Sequence, residues 1–92
     1  MKLDLNNNEV CEKIIDFGAF GYNSIKIADI LGIDDNSEIE LMLNDENSKL
    51  YKLYQKGKSM YDYAIDNKLF KLAQSGDLKA FELLEQRKIY NK

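Results

Sequence analysis

SKLYKLYQKGKSMYDYAIDNKLFKLAQSG, residues 48–76, is the longest stretch of the chain without a strong helix stop. Ser48 is a suitable N-cap, the chain contains no proline, and Gly76 is the next strong stop, so the pattern predicts one helix of about 27 residues, about 40 Å long. Leu50, Tyr54, Gly57, Tyr61, Ala64 and Lys68 are spaced 4, 3, 4, 3 and 4. That is the seam of a helix lying along another helix, with Gly57 and Ala64 small enough for close approach and Lys68 spoiling the end. Tyr63 and Phe70 stand one heptad apart on nearly the opposite side. The helix therefore has apolar groups to bury in two directions. Either the first and last helices cover one side each, or a neighbouring subunit covers one of them.

Outward from this stretch, glycines and capping residues divide the rest. Asn6 to Asn8 lead into a helix over residues 8–20 whose Val10, Cys11, Ile14, Ile15 and Phe17 recur at helical spacing, with Gly21 as its stop. Asn23 caps a short helix over 24–31 carrying Ile25, Ala28 and Leu31 in one stripe, and Gly32 ends it. Asp34 or Asp35 caps a third helix over 35–44, with Ile39 and Leu43 facing inward. After Gly76, Asp77 caps a closing helix over 78–88 bearing Leu78, Phe81, Leu83 and Leu84. The expected fold is all-α: a three-helix helix-turn-helix domain at 8–47, then a helical oligomerisation segment at 48–92 formed by a long and a short helix. Residues 1–7 are expected to be a flexible arm.

Composition removes several classes. Ninety-two residues suit one domain or a compact pair of helical subdomains and bury only about 60% of their unfolded surface, which makes an oligomer attractive. With 45% hydrophobic and 32% charged residues the chain reads as a folded soluble protein. Its single cysteine excludes an internal disulfide and a four-thiolate zinc site, in keeping with a cytoplasmic location. The apolar runs fall far short of the ~20 residues a membrane span requires, and the first nine residues lack the apolar core of a signal peptide.

No enzyme signature emerges. Histidine, the commonest general base and metal ligand, is absent, and Cys11 sits on the apolar stripe where a thiol is usually inert packing. The run Asp34, Asp35, Asn36, Glu38 resembles part of a calcium loop, but Ile39 stands where the glycine is required. The glycines at 18, 21, 32, 57 and 76 never cluster into a phosphate loop. No catalytic residue, metal ligand or cofactor is assigned.

What remains is the pair of helices around Gly32, Ile33 and Asp34, spaced as in a helix-turn-helix with small Ala28 at the contact. Charge complicates a DNA reading. Residues 1–47 hold three lysines and eleven acids, a net of −8, while residues 48–92 hold ten basic and five acidic residues, a net of +5. The third helix carries Glu38 and Glu40 and no basic residue. Phosphate contact must then come from Lys49, Lys52, Lys56 and Lys58, assisted by Lys26 and the polar Asn36 and Asn44. The bland alternative is an ordinary solvated lysine face. Tyr54, Tyr61, Tyr63, Ile65 and Phe70 are the candidate oligomer interface.

The run Gly21, Tyr22, Asn23, then Ile27, Ala28, Leu31, Gly32, Ile33, followed by Leu50, Tyr51, Lys52, Tyr54, Gln55, Lys56, Gly57 and by Ile65, Asp66, Leu69, Phe70, Leu72, Ala73, Ser75, Gly76, Asp77, resembles the small terminase subunits of tailed bacteriophages and related phage helix-turn-helix proteins. The resemblance spans Glu9 to Arg87 and is most specific in Tyr54, Gln55, Lys56, Gly57 and in Ala64 to Asp77. It implies a non-enzymatic, ring-forming component that recognises double-stranded viral DNA and presents it to a separate large terminase subunit, in the host cytoplasm if viral. The acidic third helix departs from the pattern, and the chain ends too early for much of the C-terminal segment that often engages the large subunit. The competing reading is a small helical protein–protein interaction module that does not bind DNA. A transcriptional repressor ranks below both, because Asn36 and Asn44 are the third helix's only candidates for base edges.

Overall fold

The computed structural model describes residues 2–90. It is all-helical, with α1 at Asn8–Phe20, α2 at Ser24–Leu31, α3 at Ser37–Leu43, α4 at Lys49–Gln74 and α5 at Leu78–Tyr90, and no strand among the described residues. The boundaries follow local chemistry. Asn7 Oδ1 accepts from the Glu9 N–H, Asn23 Oδ1 from the Lys26 N–H, Ser48 Oγ from the Tyr51 N–H and Asp77 Oδ1 from the Ala80 N–H, so four helices open on a side chain that takes up an orphan backbone donor. The third helix differs from expectation. It starts at Ser37, after Asn36, because Asp35 accepts from both the Ser37 N–H and its hydroxyl and so closes a local turn before the helix.

The chain divides into two compact units, Met1–Met60 and Tyr61–Lys92. The division falls inside α4, not at the 47/48 boundary expected from sequence, because the first third of α4 contributes core to the N-terminal unit.

In the first unit Ile14 and Phe17 of α1, Ile27 and Ala28 of α2, Ile39 of α3 and Leu50 of α4 form one buried cluster. Fully burying each large aliphatic side chain contributes about 1.5–3 kcal/mol, so Ile14, Ile27, Ile39 and Leu50 carry much of this unit's stability. The buried face of α2 is Ser24, Ile27, Ala28 and half-buried Leu31; Ile25, placed on the inner stripe from sequence, is 60% exposed. The spacing 24, 27, 28, 31 follows the helical row better than 25, 28, 31 does. Between α2 and α3, Gly32 takes φ 72°, a left-handed conformation that costs a side-chain-bearing residue energy, and the Ile33 N–H returns to the Ala28 carbonyl.

Helices α1 and α4 cross at glycines. A Cβ on Gly18 would overlap the backbone carbonyl of Tyr54, and one on Gly57 would overlap the Ile15 carbonyl and the Ala19 nitrogen. The seam read from sequence is thus real through Gly57, whereas Tyr61, Ala64 and Lys68 farther along it are exposed. The N-terminal segment also departs from the flexible arm expected at 1–7. Leu3 and Leu5 pack against the core, and the Leu5 carbonyl accepts from Lys49 Nζ at 2.8 Å and from Cys11 Sγ at 3.2 Å. Met1 lies outside the described residues.

The second unit is a helical hairpin made by the rest of α4 and by α5. Ala80 is buried, and Ile65, Leu69, Ala73 and Leu84 are half-buried. Arg87 clamps the hairpin: its Nε donates to Asp66 and its second terminal nitrogen donates to Asp62 at 3.1 Å. Those carboxylates, Asp66 first, hold the guanidinium's pKa above its ordinary value.

Candidate nucleic-acid interface and assembly face

The lysines proposed from sequence fall into different situations. Lys52, Lys56 and Lys58 project from the first turns of α4 into solvent, with 52 and 56 on one helical row. Lys49 is exposed but committed to the Leu5 carbonyl. Among the described residues none of Lys26, Lys49, Lys52, Lys56 and Lys58 has a carboxylate within ion-pair distance; the ion pairs there involve Arg87 and Lys88. No carboxylate of the described residues neutralises these cations.

Two of them are held over aromatic rings. Lys26 Nζ lies 4.2 Å from the Tyr22 ring centroid, and Lys58 Nζ lies 5.3 Å from that of Tyr54. The two pairs belong to one patch, because the Tyr54 hydroxyl donates to the Tyr22 carbonyl at 2.9 Å, latching the α1–α2 corner to α4. Burial pushes the Tyr54 phenol above its ordinary pKa, which keeps it a donor. Tyr22 also stacks on buried Phe17 and meets Phe20, whose ring is 62% exposed. Sequence reasoning assigned Phe20 and Tyr22 no surface role; their position on either side of the stop at Gly21 was the available signal.

The polar residues assigned to base contact are occupied. Asn36 Nδ2 donates to Ser24 Oγ at 2.9 Å, tying the start of α3 to the start of α2, and Asn44 Nδ2 donates to the Glu40 carbonyl at the end of α3. The exposed face of α3 presents Glu38, Glu40 and Leu41, the last 74% exposed, and no cation. Hydrogen bonds from Ser37 hold the Asp35 carboxyl below its ordinary pKa, so the start of α3 stays negative.

The residues assigned to an oligomer interface also separate. Tyr54 is half-buried and hydrogen-bonded within its own unit. Tyr61, Tyr63 and Phe70 are exposed, Tyr63 at 70% and Phe70 at 51%. Phe70 lines one apolar groove of the hairpin with Ala73, Phe81 and Leu84, while half-buried Ile65 lines another with Leu69, Leu83 and Tyr90. A two-helix hairpin with so many uncovered apolar side chains lacks a closed core of its own.

Among the described residues no group of three or more potential metal ligands gathers, and no helix is long and apolar enough to cross a membrane. Comparison with protein-family models, with curated proteins and with solved structures finds no match.

Proposed function

We propose that the chain is the DNA-recognition component of a viral genome-packaging complex, a non-enzymatic adaptor of the small-terminase type that works as a homo-oligomer. The observation that carries this reading is the set of un-neutralised lysines on the same unit as the α2–α3 pair, which we take as a helix-turn-helix. Lysines without internal carboxylate partners keep their charge for phosphates, and counterion release then provides affinity. The resemblance over Glu9 to Arg87 supports the same assignment. It makes double-stranded viral DNA and a large ATPase–nuclease subunit the partners, in the cytoplasm of the infected cell.

Assembly falls to the hairpin. Its two grooves differ in composition, so contact between one groove and the other on the next copy would be heterologous, the kind of contact that closes a ring. Many weak phosphate contacts, repeated around such a ring, add by avidity. Replacing Lys26, Lys52, Lys56 and Lys58 together by glutamate tests the reading: DNA binding should be lost while the oligomer persists. Dissociation of the oligomer would instead place those lysines between subunits.

A second reading, a protein-binding module that does not touch DNA, draws on the acidic face of α3 with exposed Leu41 at its centre. Such a face suits a basic, apolar partner. It is the right reading if the wild-type chain shows no salt-dependent affinity for duplex DNA.

A further inference from the structure

We infer that duplex DNA is held at the α1–α2 corner, by Lys26 and Lys58 with Phe20 between strand and protein, and that α3 contributes no phosphate contact. The inference rests on the DNA-binding reading above and deepens it by assigning the contact surface. It departs from the usual expectation that the second helix of such a pair carries the contact.

A helix that enters a groove passes between two rows of phosphates, and α3 brings Glu38 and Glu40 there with no cation, while Asn36 and Asn44 each direct an amide donor to a partner inside the chain. At the corner the signs are reversed. Lys26 and Lys58 each lie over a tyrosine ring and have no carboxylate within 4.0 Å among the described residues. A ring beneath an ammonium group restricts the long side chain before the ligand arrives, so less rotamer entropy is lost on binding. The Tyr54–Tyr22 hydrogen bond fixes the two lysine–tyrosine pairs relative to each other, making one rigid cationic edge.

The aromatic arrangement selects duplex over single strand. Stacking platforms for unpaired bases need open ring faces. Here Lys26 lies over the Tyr22 ring, which also stacks on Phe17, and Lys58 lies over Tyr54. Phe20 meets the Tyr22 ring at 5.3 Å and is otherwise exposed, and one apolar ring beside two cations suits the sugar edge of a backbone whose phosphates meet the lysines.

The test is fluorescence anisotropy of the full chain with a labelled duplex at several salt concentrations. Lys26→Gln with Lys58→Gln should lower the slope of log affinity against log salt by about two for each engaged chain. Phe20→Ser should weaken binding about threefold to tenfold at every salt concentration with the slope unchanged. Glu38→Gln with Glu40→Gln should change affinity by no more than about twofold. Duplex binding that keeps its full slope in the lysine variant, or that responds more to the α3 variant, overturns this inference and leaves the DNA-binding reading standing. Preference for a single strand of equal length overturns the duplex assignment. No duplex binding by the wild-type chain at low salt overturns the DNA-binding reading and this inference with it. Circular dichroism on each variant separates lost contact from lost fold.

Discussion

Gly57→Ala is the sharpest perturbation of the first unit, because it adds one methyl group where two backbones already touch. The added carbon would overlap the Ile15 carbonyl and the Ala19 nitrogen, neither of which is the movable end of a side chain. The helices must therefore separate. A buried aliphatic side chain makes about 50 contacts worth about 0.1 kcal/mol each, and a gap of 0.5–1 Å forfeits roughly a quarter of that, or about 1 kcal/mol per residue. Ile14, Phe17 and Leu50 belong to the cluster that α1 and α4 share, so the loss comes to about 3 kcal/mol. Alanine's better helix propensity returns about 1 kcal/mol. The net expectation is a destabilisation of about 2 kcal/mol, within the usual range for overpacking, and a fall in Tm of about 10 °C for a unit of this size. Urea titration followed by circular dichroism measures it, with Ser59→Ala, at an exposed position on the same helix, as the control. Equal or greater stability in Gly57→Ala would refute the argument that this glycine is present for close approach.

Other expectations follow from individual contacts. Tyr54→Phe removes the donor to the Tyr22 carbonyl and should cost about 1 kcal/mol in denaturant titration; it should also weaken duplex binding, since the latch aligns the two lysine–tyrosine pairs. The Tyr54 pKa is raised in the folded state, so its contribution is complete below the ordinary phenol value near 10 and is lost as pH rises through the raised one; Tyr54→Phe should flatten that alkaline decline. Asp35 has the opposite sign: its carboxyl is lowered, so its contribution is present above the ordinary value of 3.8 and is lost as pH falls through the depressed one, and Asp35→Asn should reduce the acid sensitivity of the first unit's melting. Arg87→Ala leaves Asp62 and Asp66 facing each other at a partly exposed site and should cost less than about 1 kcal/mol, shrinking as salt is raised. Tyr63→Ala with Phe70→Ala should lower the solution mass while leaving the first unit's melting unchanged; an unaltered mass counts against assembly through the hairpin.

The helices were legible because their ends are written in local chemistry. Asn23, Asp77 and the glycines at 21, 32 and 76 act over one turn, where no tertiary context is needed to interpret them. The start of α3 was harder, since Asp34 and Asp35 both suit an N-cap, and the turn closed by Ser37 sets the start after Asn36 instead. The seam of α4 showed that the helix has a buried face but not where that face stops being covered. Its periodicity continues past Gly57, yet coverage depends on where α1 ends, which is a property of the packed unit. The packing of the N-terminal segment is hidden in the sequence for a related reason: Leu3 and Leu5 are too few to form a periodic pattern, and the partners of Leu5, Lys49 and Cys11, are distant or unremarkable in sequence.

The candidate site was legible only as a list of cations. Charge counting found Lys26, Lys49, Lys52, Lys56 and Lys58, but it could not tell that Lys49 is committed to a backbone carbonyl or that Lys26 and Lys58 share one edge through two tyrosines. Lys26 on α2 and Lys58 on α4 are 32 residues apart, and it is the Tyr54–Tyr22 hydrogen bond, beside the crossing of α1 and α4 at Gly18 and Gly57, that joins the start of α2 to α4.

Under the proposed function this chain binds duplex DNA as an assembled particle. Sedimentation velocity of the full chain, alone and with a labelled duplex at low and at physiological salt, tests both halves in one measurement. The expected result is a species of several chains that carries the duplex with it and releases DNA, without losing chains, as salt rises. A single-chain species that leaves the duplex sedimenting at its own rate would contradict it.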